Sequence, residues 1–214
     1  MRLYSYWRSS SAYRVRIALN LKALEYELVP VHLVRDGGEQ HGATYRRINP
    51  QALVPSLEHD TVVITQSMAI IEYLEESWPA PPLLPREPAA RARVRAIAQS
   101  IACEIQPLNN LRVLQELERR LGADKEQVRG WYLHWVEEGF AALEARLAGD
   151  AETGDFCHGD SPGLADAFLV PQVYNARRFD CDIAAFPTIA RIDANCTTLS
   201  AFINAAPENQ PDAS

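Results

Sequence analysis

Apolar residues follow two different rhythms along the chain. In the first third they form short runs that alternate with helical stripes. Leu3 to Trp7 carries the aromatic content of a buried strand, and from Ala12 onward Val15, Ala18, Leu19 and Lys22 fall at helical spacing. Tyr26 to Leu33 reads as a second strand, and Arg35 to Gly42 as a polar loop whose Gly37 and Gly38 permit a tight turn. A short helical or irregular piece around Thr44 to Ile48 precedes two short strands, Ser56 to Glu58 and Val62 to Thr65, linked hairpin-like at His59 and Asp60. Gln66 and Ser67 then open a helix with Met68, Ile71, Leu74 and Trp78 on one stripe and Glu72, Glu75 and Glu76 solvated.

The second rhythm is helical throughout. Pro79, Pro81, Pro82, Pro85 and Pro88 forbid regular structure and mark a stiff linker. The expected divisions are residues 1–78, a linker at 79–88 and a helical domain at 89–214. Ala89 to Leu121 reads as one long helix with Val94, Ile97, Ile101, Ile105 and Leu108 on one face, bent locally by Pro107. Val128 to Leu147 reads as a second amphipathic helix. Leu164 to Ala176, nearly continuously apolar, reads as the buried central helix of the bundle. Shorter helices near Thr188 to Cys196 and Leu199 to Ala206 close it, and residues after Pro207 are expected to be disordered. The resulting fold class is an α/β thioredoxin-like N-terminal domain followed by an all-α helical bundle.

Composition narrows the partners. A chain of 214 residues with 47% hydrophobic and 23% charged residues is ordinary for a soluble protein, and a net charge of -7 argues against nucleic acid as a partner. An anionic small molecule would need a local cluster of arginines. No run approaches the ~18 apolar residues of a membrane span, and the N-terminus passes straight into a strand, so a cytoplasmic protein is expected. Cys103, Cys157, Cys181 and Cys196 are widely spaced without a metal-ligand pattern, which implies reduced structural thiols and no metal.

The chemistry concentrates between Arg8 and Arg16. Ser9, Ser10 and Ser11 sit where the first strand hands over to the first helix. Serine there is a natural N-cap, and the unpaired N–H groups of the first helical turn favour an anion such as a thiolate. No cysteine lies in that loop, so a nucleophilic sulfur would come from a bound molecule.

Several separate segments together resemble the zeta class of the glutathione transferases. Ser9-Ser10-Ser11-Ala12-Tyr13-Arg14-Val15-Arg16-Ile17-Ala18-Leu19 is similar to its signature of serines before an Arg-Val-Arg-Ile-Ala-Leu helix. Asn49-Pro50 with Val54-Pro55, Gln66 to Glu76 and Ile105 to Leu111 also match, and the likeness runs from Leu3 to about Asp212. The resemblance implies glutathione as cofactor and a homodimer. It also implies a glutathione-dependent conversion of maleylacetoacetate to fumarylacetoacetate, in aromatic catabolism, by thiolate addition, bond rotation and elimination. Ser9 would be the main thiolate partner, with Ser10 adjacent. Val54, before a cis-capable Pro55, could pair with the cysteinyl backbone as an added strand does. Gln66 and Ser67 would receive the γ-glutamyl carboxylate and Gln40 could reach the glycyl end. Gln106 and Asn110, four apart on one helical face, would point into the cleft. Arg8, Arg112 and Arg178 would bind the maleyl dicarboxylate, with Arg177 competing for the place of Arg178.

Two positions depart from the class. Ser11 stands where a cysteine is usual, and Gly163 stands where Ser or Thr usually caps the helix carrying the buried Asp166. Maleylpyruvate isomerase is the alternative activity. A general glutathione transferase and a non-catalytic glutathione or ligand carrier are the less specific ones.

Overall fold

The computed structural model describes residues 1–213 and resolves two compact units. The first comprises Met1–Leu83 together with the segment from Thr198 onward, and the second comprises Leu84–Thr197.

In the first unit four short strands, β1 (Arg2–Ser5), β2 (Glu27–Pro30), β3 (Ser56–His59) and β4 (Val62–Thr65), form one sheet in the order β2-β1-β3-β4. β1 and β2 run parallel through the crossover helix α1 (Ser10–Leu21), and the remaining pairs are antiparallel. The two-residue period of a strand puts Leu3 beside Leu57 on one face, both fully buried, and Tyr4 on the other. Tyr4, Tyr6, Val31, Tyr45 and Val54 form a cluster on that second side, where Tyr45 belongs to the short helix α2 (Ala43–Ile48). α1 packs against α3 (Ser67–Ser77), which contributes the fully buried Ile70, Ile71 and Leu74.

The buried Lys22 at the end of α1 pairs with Glu75 at 2.7 Å and donates to the carbonyls of Trp78 and Pro81, anchoring the start of the proline-rich stretch. Residues beyond Pro207, expected to be disordered, are described as far as residue 213. They carry a short 3-10 turn, and Asp212 accepts a hydrogen bond from Trp7 N–H. The tail is ordered because α9 (Ser200–Ala205) packs on α1 and buries Phe202 and Ala205.

In the second unit the single long helix expected over 89–121 is three pieces. α4 (Pro88–Gln99) passes into a π-helical turn at Ser100–Ile105, and α5 (Leu111–Leu121) begins anew. The reason is local. Pro107 has no N–H to donate, the Gln106 N–H reaches back five residues to Ile101, and Asn110 accepts the Arg112 N–H as an N-cap. α6 (Lys125–Gly149) opens on a capping box between Asp124 and Gln127.

α7 (Leu164–Arg178) is buried continuously from Leu164 to Val173, and α8 (Pro187–Cys196) packs on it. Asp166 accepts the N–H groups of Gly163 and Cys157, both at 2.8 Å. Because Gly163 has no side chain, only this half of a capping box exists. Burial raises the Asp166 carboxyl above its ordinary range, against the two N–H donors that lower it. All four cysteines are free thiols, and Cys103 alone is exposed. Among the described residues no helix is long and apolar enough to cross a membrane.

Candidate active site

Ser9 is the N-cap of α1. Its Oγ accepts the Ala12 N–H at 3.2 Å, and its own N–H donates to the Tyr6 carbonyl at 2.9 Å. A hydroxyl that accepts through oxygen keeps its proton for a second partner. The Ser10 and Ser11 N–H groups belong to the first turn, which has no intrahelical acceptor to offer them. Ser10 is buried, whereas Ser9 and Ser11 are partly exposed. Beside them, the Arg8 guanidinium lies over the Trp7 ring, 5.1 Å from its centroid.

The Val54–Pro55 bond is cis, and among the described residues the Val54 N–H and C=O pair with no other backbone group. A few residues on, Gln66 has φ 70° and ψ 121°, a conformation that costs a non-glycine residue about 1–3 kcal/mol. Its amide donates to Gln51 Oε1 at 2.9 Å, so no side chain of this N-cap residue satisfies the first N–H groups of α3. The Ser67 hydroxyl, buried at that helix start, accepts from Arg14 Nη1 at 3.3 Å. An uncapped helix start with a hydroxyl and a guanidinium beside it is a place for a carboxylate. The pattern thus holds a thiolate donor, two strand-like backbone groups and a carboxylate seat in one unit, and this donor set fits glutathione.

Gln40 is buried, with its amide nitrogen on the Leu33 carbonyl at 3.2 Å and against His41 at 3.1 Å. Its side chain lies under Gly38, where φ is 100° and an added Cβ would come within 2.4 Å of the amide, so another residue would be strained there and would displace the Gln40 side chain. Gln40 itself is buried, whereas the neighbouring Glu39 and His41 are exposed.

In the second unit, Gln106 and Asn110 do not share a helical face, because the helix breaks between them. The segment that carries them is hooked to α6 by Asn109, which donates to the Tyr132 carbonyl at 3.2 Å, and by Trp131, which donates to the Leu108 carbonyl at 2.9 Å. Arg112 is exposed on α5. At the end of α7 the two adjacent arginines differ. Arg177 pairs with the buried Asp193 at 2.6 Å, and its charge opposes the burial that raises the Asp193 carboxyl. Arg178 is exposed and donates to Asn175 Oδ1 at 3.2 Å. The next residue, Phe179, stacks on Tyr132 with ring centroids 3.6 Å apart.

Sequence reasoning gave Arg14 and Arg16 no task, yet both are buried and each reaches the site's own loops. Their position among the apolar residues of α1's buried face was the available signal.

Family models for the glutathione S-transferase N-terminal and C-terminal domains match residues 8–77 and 136–180. A probable maleylacetoacetate isomerase of Vibrio cholerae is 53% identical over 99% of this chain and 97% of that relative. A holo structure of maleyl pyruvate isomerase, described as a bacterial glutathione S-transferase in the zeta class, superposes with a TM-score of 0.97. It is 47% identical, with all of both chains covered. The chain belongs to the zeta class of the glutathione S-transferase family. The maleylacetoacetate isomerase of Methylobacterium extorquens AM1 with bound malonate and glutathione also superposes, with a TM-score of 0.96. It is 42% identical over the whole of both chains. Similarity to this zeta-class transferase fold therefore extends over the entire chain and beyond the two segments matched by the family models.

Proposed function

We propose that this zeta-class transferase is a glutathione-dependent cis-trans isomerase that converts maleylacetoacetate to fumarylacetoacetate. The observation that carries the reading is Ser9: its oxygen is engaged by the Ala12 N–H while its proton remains available, beside the Ser10 and Ser11 N–H groups, to which the helix itself offers no acceptor. A free thiol has a pKa of about 8.5, and a helix N-terminus with a hydroxyl donor lowers it enough to populate thiolate near neutral pH.

Bound glutathione would supply a thiolate nucleophile for reversible addition to the cis double bond, and would not be consumed. The chain's own residues bind and orient. Ser9 donates to the sulfur, with Ser10 and Ser11 contributing the helix start. Val54 N–H and C=O pair with the cysteinyl backbone. Gln66, Ser67 and the first turn of α3 receive the γ-glutamyl carboxylate, with Arg14 behind the Ser67 hydroxyl. Gln40, with His41 beside it, belongs to the glycyl side.

For the substrate carboxylates the candidates are Arg8, Arg112 and Arg178, and the ion pair of Arg177 with Asp193 favours Arg178 over its neighbour. Gln106 and Asn110 remain candidates on the segment hooked to α6. The bound malonate in the Methylobacterium extorquens relative, itself a dicarboxylate, supports a family site for such anions.

Maleylpyruvate isomerase is the second reading, supported by the 47% identical relative of that name. We further assign the chain to a reducing cytoplasm, in keeping with its four free thiols, to aromatic catabolism and to a homodimer. The decisive test mixes purified protein with each maleyl substrate, with and without glutathione, and follows loss of the cis isomer. Turnover that requires glutathione is expected. Equal turnover without it would exclude the mechanism, and the faster substrate separates the two readings.

A further inference from the structure

Between β1 and α1 the chain crosses without regular structure, so the aim of the Ser9 hydroxyl depends on what holds that crossing. Side chains from elsewhere in the first unit hold three of its backbone groups. Arg16 Nη2 donates to the Trp7 carbonyl at 3.0 Å and Arg16 Nη1 to the Tyr6 carbonyl at 3.5 Å. The Trp7 N–H donates to Asp212 Oδ2 at 2.9 Å. The Tyr6 carbonyl also accepts the Ser9 N–H, so Arg16 grips the same oxygen that sets the backbone of Ser9.

The other end of this arrangement is the segment from Thr198 onward. Arg16 is fully buried and its Nε donates to the Ala205 carbonyl at 2.9 Å. Asn20 donates to the Ala201 carbonyl at 2.9 Å, and Tyr13 to the Phe202 carbonyl at 3.4 Å. The Gln210 amide donates to the carbonyls of Asn204 and Ala206, both at 2.9 Å, which ties the approach to Asp212 back onto α9. Neither family model reaches this segment, since they match residues 8–77 and 136–180.

We propose that the segment from Thr198 to Asp212 is a strap that fixes the serine loop, with Arg16 and Asp212 as positioning residues for the Ser9 hydroxyl. The inference rests on the reading of Ser9 as the thiolate's donor. A hydroxyl is effective only where its proton points at the sulfur, and a loop whose carbonyls and N–H were released would let that direction wander. A misplacement of about 1 Å is enough to lower a rate about a hundredfold. What Asp212 supplies to the crossing is an oxygen that accepts the Trp7 N–H, and the amide oxygen of asparagine can accept in the same way. Asparagine would therefore preserve the contact to Trp7.

The test compares unsubstituted protein with Asp212→Ala and Asp212→Asn in three measurements: the thiolate absorbance of bound glutathione against pH, kcat and KM, and the melting temperature. In Asp212→Ala the bound thiol should titrate about one pH unit higher, and kcat should fall about tenfold with a much smaller change in the KM for glutathione. Asp212→Asn should restore most of both. Asp212→Ala with an unchanged thiol titration and kcat, whatever its melting temperature, would overturn the positioning role alone. Absence of thiolate absorbance in the unsubstituted protein would overturn the reading of Ser9 as well.

Discussion

Arg177 and Arg178 are neighbours of the same type at the end of one helix, and only coordinates separate them. The Arg177 guanidinium is held by a carboxylate that is itself buried, whereas Arg178 is exposed beside Asn175. Arg177→Ala should therefore lower stability by about 1–2 kcal/mol, less than for a fully buried pair because its side chain is half exposed, with turnover little affected. Arg178→Ala should leave the melting temperature nearly unchanged and raise the KM for the maleyl substrate. Thermal melts and steady-state kinetics on the two variants check this, and the reverse assignment of effects would return Arg177 to the site. At this scale the sequence was informative where chemistry is local. The serine triplet at a strand-to-helix junction announces an N-cap, and Ser9 is one. It was silent about Arg14 and Arg16, because some of the oxygens that meet these buried guanidinium groups come from remote segments. Those oxygens come from Ser67 and from Ala205, far along the chain.

At the level of elements, periodicity located most strands and helices to within a few residues, since a buried face imposes its own spacing. It failed between Ser100 and Asn110, where the apolar stripe continues past a proline. The stripe is set by what must be buried, whereas continuity of a helix is set by backbone donors, and Pro107 removes one. The π turn also brings Ile105 against α6 at Gly139, where a Cβ would lie 2.4 Å from the isoleucine side chain. Gly130, in the same helix, has nothing within 4 Å of an added Cβ. Gly130→Ala should raise stability by about 0.5–1 kcal/mol through helix propensity, while Gly139→Ala should lower it by about 1–3 kcal/mol because the buried Ile105 must move. Denaturant unfolding of the pair reads both signs. Stabilisation by both would mean that α6 and the π turn are not closely packed.

For the whole molecule, a thioredoxin-like sheet followed by an all-helical unit was legible from the order of the elements. The return of the segment from Thr198 to the first unit was not, because nothing in its amphipathic pattern says which surface it covers. Family membership suggests a homodimer, which sedimentation equilibrium would show as twice the 23.9 kDa of one chain, whereas a single-chain mass would refute it. The central claim is that the start of α1 ionises the thiol of bound glutathione through Ser9. Titrating the thiolate absorbance of the glutathione complex tests it most directly, in unsubstituted protein and in Ser9→Ala. The bound thiol should lose its proton well below the free value of about 8.5, with most of that difference abolished by the substitution. A bound thiol that titrates as it does in free solution would contradict the account.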